Sequence, residues 1–278
     1  MKLFSYLVFL VIFAGACPYA QALETPWASA DYLQARLLIG GQQKDSSAIL
    51  ISGFELRLAE GWHAYWRMPG EGGLPPRFDW QGSANITDVK ILWPVPERFE
   101  MAGFNSFGYE KSVLFPLEIG IIDPQKPVTL DLKADIMVCS NICVPQNISL
   151  HVDIPSVRNI ADVSNLSIIE RSRALVPEQA PLPSLKIESA VIGPDAIVVN
   201  AFSQSGFQNV DLYVESGDIY ITALPEITID KGDSRKAMIR VDAPADVENL
   251  ASAVMEDEIV LTLVKGRNAI EKTVSFNE

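Results

Sequence analysis

The stretch LDLKADIMVCSNICVPQNISLHVDI, residues 130–154, alternates apolar and polar residues on both sides of a short turn that contains Cys139 and Cys143. An alternation with a period of two is typical of a β-strand that buries one face. Two such runs joined by a few polar residues predict an antiparallel hairpin. If the strands stay regular up to the turn, both cysteines lie on the outer face of the hairpin, at its tip.

The same alternation recurs along the rest of the chain, with Pro- and Gly-rich turns between the runs. It is clear at residues 54–59, and it returns after the middle of the chain. The later runs are 187–192, 196–202, 210–214, 236–241 and 259–264. Many short strands with frequent turn signals predict an all-β fold built from β-sandwiches.

A short helix is predicted at residues 162–175, DVSNLSIIERSRAL, where Leu166, Ile169 and Arg173 share one side. The Pro-rich segment 180–183 follows it and indicates a linker. The helix and the linker would separate two sandwiches of similar size. The predicted division is a leader at 1–22, a first sandwich at 23–156, a helical and Pro-rich linker at 157–183 and a second sandwich at 184–278.

The first residues are typical of a secretory signal peptide. Lys2 precedes an apolar run, and Ala20-Gln21-Ala22 fits the small residues before a cleavage site. The alternative is a lipoprotein signal with Cys17 as the acylated residue. In both cases Cys17 is lost to the folded domains, and one cysteine pair remains. We expect an exported, periplasmic protein that is soluble after cleavage, in a compartment where disulfides persist.

The acidic composition excludes several classes of partner. The formal net charge is −13, which disfavours nucleic acid and anionic membrane surfaces. The sequence has no Gly-x-Ser-x-Gly nucleophile segment, no phosphate-binding loop and no dinucleotide fingerprint. No cofactor is therefore expected.

The cysteine pair is left with three possible roles. Cross-strand partners have Cα atoms ~4.5–5.5 Å apart and a disulfide needs ~4.4–6.8 Å, so the two cysteines can form a bridge. Such a bridge closes a very small loop, which adds little stability to a chain of about 250 residues with a large core. This favours reversible thiol–disulfide exchange, but an inert bridge in an interaction protein remains an alternative.

Copper binding is the third possibility. Met137, Cys139 and Cys143 supply soft sulfur ligands that suit Cu(I). His151 cannot join them by strand geometry, because it lies about 26 Å further along an extended strand at ~3.3 Å per residue. A zinc site would need more ligands than this pair provides.

Three segments resemble a known family. They are GWHAYWRMPG at 61–70, FGYE at 107–110 with VLFP at 113–116, and CSNICVP at 139–145. On these motifs, the chain from about Asp31 to Pro155 resembles the N-terminal domain of the thiol:disulfide interchange protein DsbD. It is most similar to the variant found in the suppressor of copper sensitivity protein ScsB.

The resemblance implies an immunoglobulin-like sandwich that carries a reversible disulfide between Cys139 and Cys143. Family likeness favours Cys143 as the sulfur that links to a partner. The residues implied to cap the pair or to contact a partner are Phe104, Tyr65, His63 and Tyr109.

The resemblance also implies the partners. In this family, electrons pass from a membrane-embedded thiol domain to thioredoxin-fold periplasmic proteins, which include isomerases and cytochrome c maturation factors. Because the sequence ends at Glu278, we expect the membrane relay to be a separate protein; the alternative is that the relay has been lost and that the protein oxidises, scaffolds or binds metal instead. With a separate relay, the chain would be one component of a protein-disulfide reductase, with the second sandwich as a docking or spacing module.

Overall fold

The computed structural model describes residues 24–43, 46–101, 103–158, 160–179, 181–217, 219–255 and 258–275. The predicted leader at 1–22, including Cys17, lies outside these ranges. The described chain confirms the all-β prediction, because it forms immunoglobulin-like sandwiches with only short helices. Both helices in the described ranges fall short of the length and apolar character that a bilayer-spanning helix requires.

The first sandwich contains the strands before the long helix. They are β1 Ala28–Ser29, β2 Leu33–Gln43, β3 Ser46–Leu58, β4 His63–Gly70, β5 Arg77–Asp79, β6 Ile86–Ile91, β7 Glu97–Met101, β8 Phe104–Glu110, β9 Ser112–Ile121, β10 Val128–Cys139 and β11 Cys143–Ile154. One sheet has the order β1-β2-β3-β9-β6, and the other has the order β11-β10-β4-β8-β7 with β5 paired to β10. Apolar residues from the inner faces of both sheets form one core.

The second sandwich follows the helix α1, Val163–Arg173. Its elements are β12 Leu185–Ile192, β13 Ala196–Ser203, β14 Val210–Ser216, β15 Ile219–Ile221, β16 Glu226–Ile229, β17 Lys236–Asp242, α2 Leu250–Ala253, β18 Ile259–Lys265 and β19 Asn268–Val274. The strands form sheets with the orders β12-β13-β17-β16 and β15-β14-β18-β19. Each predicted run after residue 186 is a strand, whereas β15, β16 and β19 were not predicted.

The hairpin that the alternation predicts is present over its full length. β10 and β11 pair without interruption from Val128 opposite Ile154 to Cys139 opposite Cys143. Pro145 lies in the register opposite Met137, so the proline does not break the strand. The apolar residues of β10 alternate into the core because one-residue steps along a strand reverse the face.

Helix α1 is part of the first sandwich and not a free connector. The Asp162 side chain caps it by accepting a hydrogen bond from the Asn165 backbone N–H. Ile169 is buried against Leu38, Ile51 and Leu114 on the outer face of the sheet that contains β2, β3 and β9. The predicted linker therefore packs on its own domain, because the helix has an apolar side that needs cover.

The two sandwiches share apolar contacts. Tyr213 on β14 is buried and belongs to the core of the first sandwich. Its ring packs edge-on against Trp66 on β4 and Phe107 on β8, with centroid distances of 5.7 and 5.2 Å. Its hydroxyl donates a hydrogen bond of 2.9 Å to the Pro96 carbonyl. The second sandwich is thus attached directly to the sheet that carries the cysteines.

Candidate functional site

The cysteine pair closes the tip of the β10–β11 hairpin. Cys139 and Cys143 form a disulfide, and their Cα atoms are 4.1 Å apart. The uninterrupted register determines this pairing, since directly opposed residues project to the same face. The pair is therefore a property of the hairpin itself and needs no distant part of the chain.

The two cysteines differ in exposure. Cys143 is exposed, whereas Cys139 has 0% of its surface accessible. The alternation predicts an outer-face position for Cys139 with Asp135, which is exposed. The position is on that face, but the expectation of an open outer face is wrong at the tip, because strand β4 is paired there. An attacking thiol can approach Cys143 and not Cys139.

Strand β4 places two aromatic side chains beside the disulfide. His63 pairs directly with Cys139, so both side chains point to the same face. Tyr65 follows on that face, two residues later. Its hydroxyl lies 3.8 Å from the Cys143 sulfur and donates a hydrogen bond of 3.1 Å to the Gly72 carbonyl. His63 Nδ1 is buried and has no hydrogen-bond partner among the described residues.

Burial raises the pKa of the Tyr65 hydroxyl above its ordinary value. The hydroxyl therefore remains protonated at neutral pH and can act as a donor. If this O–H turned from the Gly72 carbonyl to Cys143, its single proton could stabilise a thiolate on that sulfur without adding a charge to the site.

Strands β7 and β8, which we name the cap hairpin, extend over this aromatic pair. Phe99 stacks on His63 with a centroid distance of 4.5 Å and lies 5.8 Å from the Tyr65 ring. The Met101 sulfur lies 4.0 Å from the Tyr65 hydroxyl. Phe104 is at the tip, opposite Met101, and is 50% exposed. The hairpin thus contacts the residues that flank the disulfide.

Tyr109 does not belong to this group. It was expected among the cap and partner-contacting residues, but only 6% of its surface is accessible. Its hydroxyl donates a 2.8 Å hydrogen bond to the Pro94 carbonyl, and its ring packs on Phe115 in the core. The physical reason is strand parity, because Tyr109 pairs with Ala64 and shares that residue's inward direction.

The candidate copper ligands are only partly brought together. Met137 is half-buried and lies on the same face of β10 as Cys139, two residues before it. His151 is far along β11, where it contacts Asp131 and Asp153. Among the described residues, no group of three or more His, Cys, Asp and Glu side chains could hold a metal ion.

Three residues near the site were not predicted. Phe99 and Met101 alternate with charged residues in ERFEM, which is a strand signal with one apolar face. This pattern predicts a strand with one apolar face, but it does not predict which part of the fold that face contacts. Glu71, which contacts both the cap hairpin and the second sandwich, has no sequence signal at all.

Comparisons with known proteins agree with this geometry. Residues 42–152 match the family described as thiol:disulfide interchange protein DsbD, N-terminal. Residues 175–278 match a second family, described as a domain of unknown function (DUF8393). The comparison with curated proteins gives no match.

One solved structure has the same fold over both sandwiches. It is the N-terminal periplasmic domain of ScsB from Proteus mirabilis, with a TM-score of 0.70, 21% identity, and coverage of 91% of this chain and 98% of that chain. A marsupial T cell receptor also matches, with a TM-score of 0.24, 11% identity, and coverage of 89% of this chain and 98% of that chain. A score that low carries no argument about fold.

The family match covers the hairpin with both cysteines and the strand that carries His63 and Tyr65. The resemblance of the three sequence motifs is thereby confirmed. Residues 42–152 therefore match the N-terminal domain family of the thiol:disulfide interchange protein DsbD, and both sandwiches share their fold with the periplasmic domain of ScsB.

Proposed function

We propose that this protein transfers reducing equivalents in the periplasm by thiol–disulfide exchange through Cys139 and Cys143. The observation that carries the proposal is the unequal exposure of one disulfide at a hairpin tip. Cys143 is exposed beside the Tyr65 hydroxyl, and Cys139 is fully buried behind it. This arrangement gives each sulfur a different role in exchange.

The reaction would proceed in two balanced steps. In the reduced protein, the Cys143 thiolate attacks one sulfur of a partner disulfide, and the other partner sulfur leaves as a thiolate and takes up a proton. Cys139 then loses its proton and attacks the Cys143 sulfur. This step releases the second partner sulfur as a thiol. The pair loses two electrons in total, and the partner disulfide gains them.

The proposed partners follow from the family. A membrane-embedded thiol relay would reduce the Cys139–Cys143 disulfide, and thioredoxin-fold proteins would receive the electrons. The cysteines lie at a strand turn and not at a helix N-terminus, which is the feature that lowers thiol pKa values in thioredoxin-like proteins. The pair therefore suits a shuttle whose reactivity depends on the docked partner.

The test is to trap the mixed disulfide with single-cysteine variants. Cys139→Ser should accumulate a covalent adduct with the oxidised thioredoxin-fold partner, because the resolving thiol is absent. Cys143→Ser should give no adduct, because the remaining thiol is buried. Non-reducing electrophoresis and mass spectrometry measure the adduct.

Two results would contradict the proposal. One is the absence of an adduct with Cys139→Ser together with a potential of the pair below roughly −300 mV, which is typical of structural bridges. The other is tight, stoichiometric Cu(I) binding by the reduced protein that Cys139→Ser abolishes, again without an adduct. That result would favour the copper site formed by Met137, Cys139 and Cys143.

A further inference from the structure

We propose that the second sandwich holds the cap hairpin against the aromatic pair beside the disulfide, His63 and Tyr65, with Thr222 and Glu71 as the positioning residues. This inference rests on the proposed exchange at Cys143 for its functional meaning. It assigns a role to the second sandwich that differs from simple spacing or partner docking. Four sets of contacts support it.

Thr222 bonds to two segments of the first sandwich, the segment after β4 and strand β7 of the cap hairpin. It follows β15 and is 6% exposed. Its hydroxyl donates a hydrogen bond of 2.5 Å to Glu71 Oε1, which lies just after β4. Its backbone carbonyl accepts a hydrogen bond of 2.9 Å from Arg98 Nη1, which lies on β7. One residue of the second sandwich is therefore bonded to two separate segments of the first.

Glu71 transfers this attachment to the tip of the cap hairpin. Its Oε2 accepts a hydrogen bond of 3.3 Å from the Asn105 N–H, and its own N–H donates one of 3.0 Å to the Asn105 carbonyl. Asn105 directly follows Phe104. The preceding Gly70 has a φ of +80°, and a Cβ on it would be 2.5 Å from the Asn105 carbonyl oxygen. Glycine thus permits this close crossing of the two segments.

The same segment continues to the disulfide. Gly72, next to Glu71, accepts the hydrogen bond from Tyr65, whose hydroxyl contacts the Cys143 sulfur. A continuous set of contacts therefore runs from Thr222 through residues 71 and 72 and the Tyr65 hydroxyl to Cys143. A shift of the segment would move the group that lies over the reactive sulfur.

Arg98 anchors the other strand of the hairpin. Its guanidinium pairs with Asp211 at 2.7 Å and donates a hydrogen bond of 2.8 Å to the Leu212 carbonyl. It also lies over the rings of Phe107 and Tyr213, at 4.7 and 4.9 Å from their centroids. Arg98 projects to the side opposite Phe99. β7 therefore faces the second sandwich with one side and the aromatic pair at the disulfide with the other.

These contacts favour the position of the cap hairpin against His63 and Tyr65. Moving the cap hairpin away from the second sandwich would separate Arg98 from Asp211 and from the Thr222 carbonyl. It would also pull the Asn105 backbone away from Glu71, which the Thr222 hydroxyl holds. Polar groups that lose their partners in a partly buried interface are costly. The second sandwich would thereby keep the cap hairpin and the Tyr65 hydroxyl in place beside Cys143, which narrows the approach of small thiols to this exposed sulfur until a partner docks.

The test is the rate at which dithiothreitol reduces the Cys139–Cys143 disulfide in the full chain. One reductant thiolate attacks Cys143 and Cys139 leaves as a thiolate. The second reductant thiol then releases Cys143 and forms the cyclic disulfide. Thr222→Val and Glu71→Ala should each raise the second-order rate constant about fivefold. Glu71→Gln should give an intermediate rate, because its one side-chain oxygen can still accept from Thr222 whereas its NH2 group cannot accept from the Asn105 N–H.

Matched controls lie on β16, at exposed positions away from the cap. Thr228→Val and Glu226→Ala repeat the two changes that are expected to raise the rate, and they should leave it unchanged. Urea midpoints of all variants identify any increase in rate that comes from global unfolding. Wild-type rates in folded Thr222→Val and Glu71→Ala would overturn the inference, as would equal rates for Glu71→Gln and Glu71→Ala.

The outcome is separable from that of the proposed function. The reductant assay uses no protein partner, so faster reduction of the variants would support this position of the cap hairpin even if Cys139→Ser trapped no thioredoxin-fold protein. Conversely, a trapped adduct together with unchanged reductant rates would retain the exchange function and remove the role of Thr222 and Glu71.

Discussion

The two hairpins that meet at the disulfide are held in different ways. The β10–β11 hairpin pairs along its entire length and buries one face in the core of its own sandwich. The β7–β8 hairpin is a short edge pair, and Arg98 attaches it to the second sandwich. The first hairpin fixes the two sulfurs, and the second packs on His63 and Tyr65 beside them. The separation of the sulfurs is thus set within one sandwich, whereas the packing of the flanking aromatic pair depends on an interface between domains.

This difference would let the proposed redox site combine a fixed pair of sulfurs with movable surroundings. Local stability is lowest where apolar burial is small, and β7 has no fully buried residue whereas alternate residues of β10 are buried in the core. Cys139 and Cys143 need a fixed separation, which β10 and β11 supply. Under the proposed exchange, Phe99 and Met101 would move when a partner docks at Cys143, and the polar contacts that hold β7 to the second sandwich would allow this. Separate variants can therefore test the core contacts of β10 and the contacts between the two sandwiches.

The largest expected effect comes from the core anchor of the cysteine hairpin. Leu132 on β10 is fully buried, and Leu132→Ala should lower the free energy of unfolding by about 3 kcal/mol, because it leaves a cavity in the sandwich core. Urea denaturation measures the loss. Lys133→Ala, at the exposed neighbouring position, should change stability by less than about 0.5 kcal/mol. Similar losses for both variants would contradict the assigned register.

The interface anchor should give a smaller loss with a different signature. Arg67 on β4 bonds Glu215 at 2.6 and 2.8 Å and also Glu271, both in the second sandwich. Burial alone would lower the pKa of Arg67, but the two carboxylates outweigh it and raise that pKa. Arg67→Met should cost about 2 kcal/mol, since it leaves two partly buried carboxylates without their cation.

Calorimetry measures this effect as a separation of one cooperative unfolding transition into two. Arg235→Met is the matched control, because Arg235 forms an exposed, local pair with Asp233. A single transition with an unchanged midpoint in Arg67→Met would mean that this ion pair does not join the sandwiches.

The smallest effect is expected at alkaline pH. Burial raises the pKa of Tyr109 in the first core and of Tyr213 at the interface well above their ordinary value. Since the unfolded chain loses these protons first, stability is complete below the unfolded pKa of about 10 and falls as pH rises above it. Each tyrosine should contribute up to ~1.4 kcal/mol per pH unit.

Urea denaturation at about pH 9 and about pH 11 measures the slope. Tyr109→Phe should make the free energy of unfolding decline less steeply with pH, because one titrating group is removed. Tyr220→Phe, at a partly exposed position, should not change the decline. An identical decline in wild type and Tyr109→Phe would sink this assignment of the buried tyrosines.

The sequence predicted the strands of the site, but it did not predict which strands pair with each other beyond the cysteine hairpin. The alternation in residues 130–154 predicted the hairpin and the opposed cysteines, because both follow from a period of two and one turn. The same alternation misplaced the surroundings of Cys139, since the paired strand β4 is not part of the pattern. Tyr109 was assigned to the cap from its place in a motif. It points into the core instead, because its position in β8 is on the inward-facing side of the strand.

The sequence by itself determined the all-β class, the cysteine hairpin and the DsbD-like motifs, because these depend on local periodicity and on residues that are adjacent in the chain. Only the tertiary structure decided which cysteine is exposed and which face of β7 packs on the residues beside the disulfide. It also decided that Thr222 and Glu71 form a hydrogen bond. The physical reason is distance along the chain. Contacts between residues that are far apart in sequence depend on how sheets stack and domains dock, and the local alternation of apolar and polar residues does not predict them.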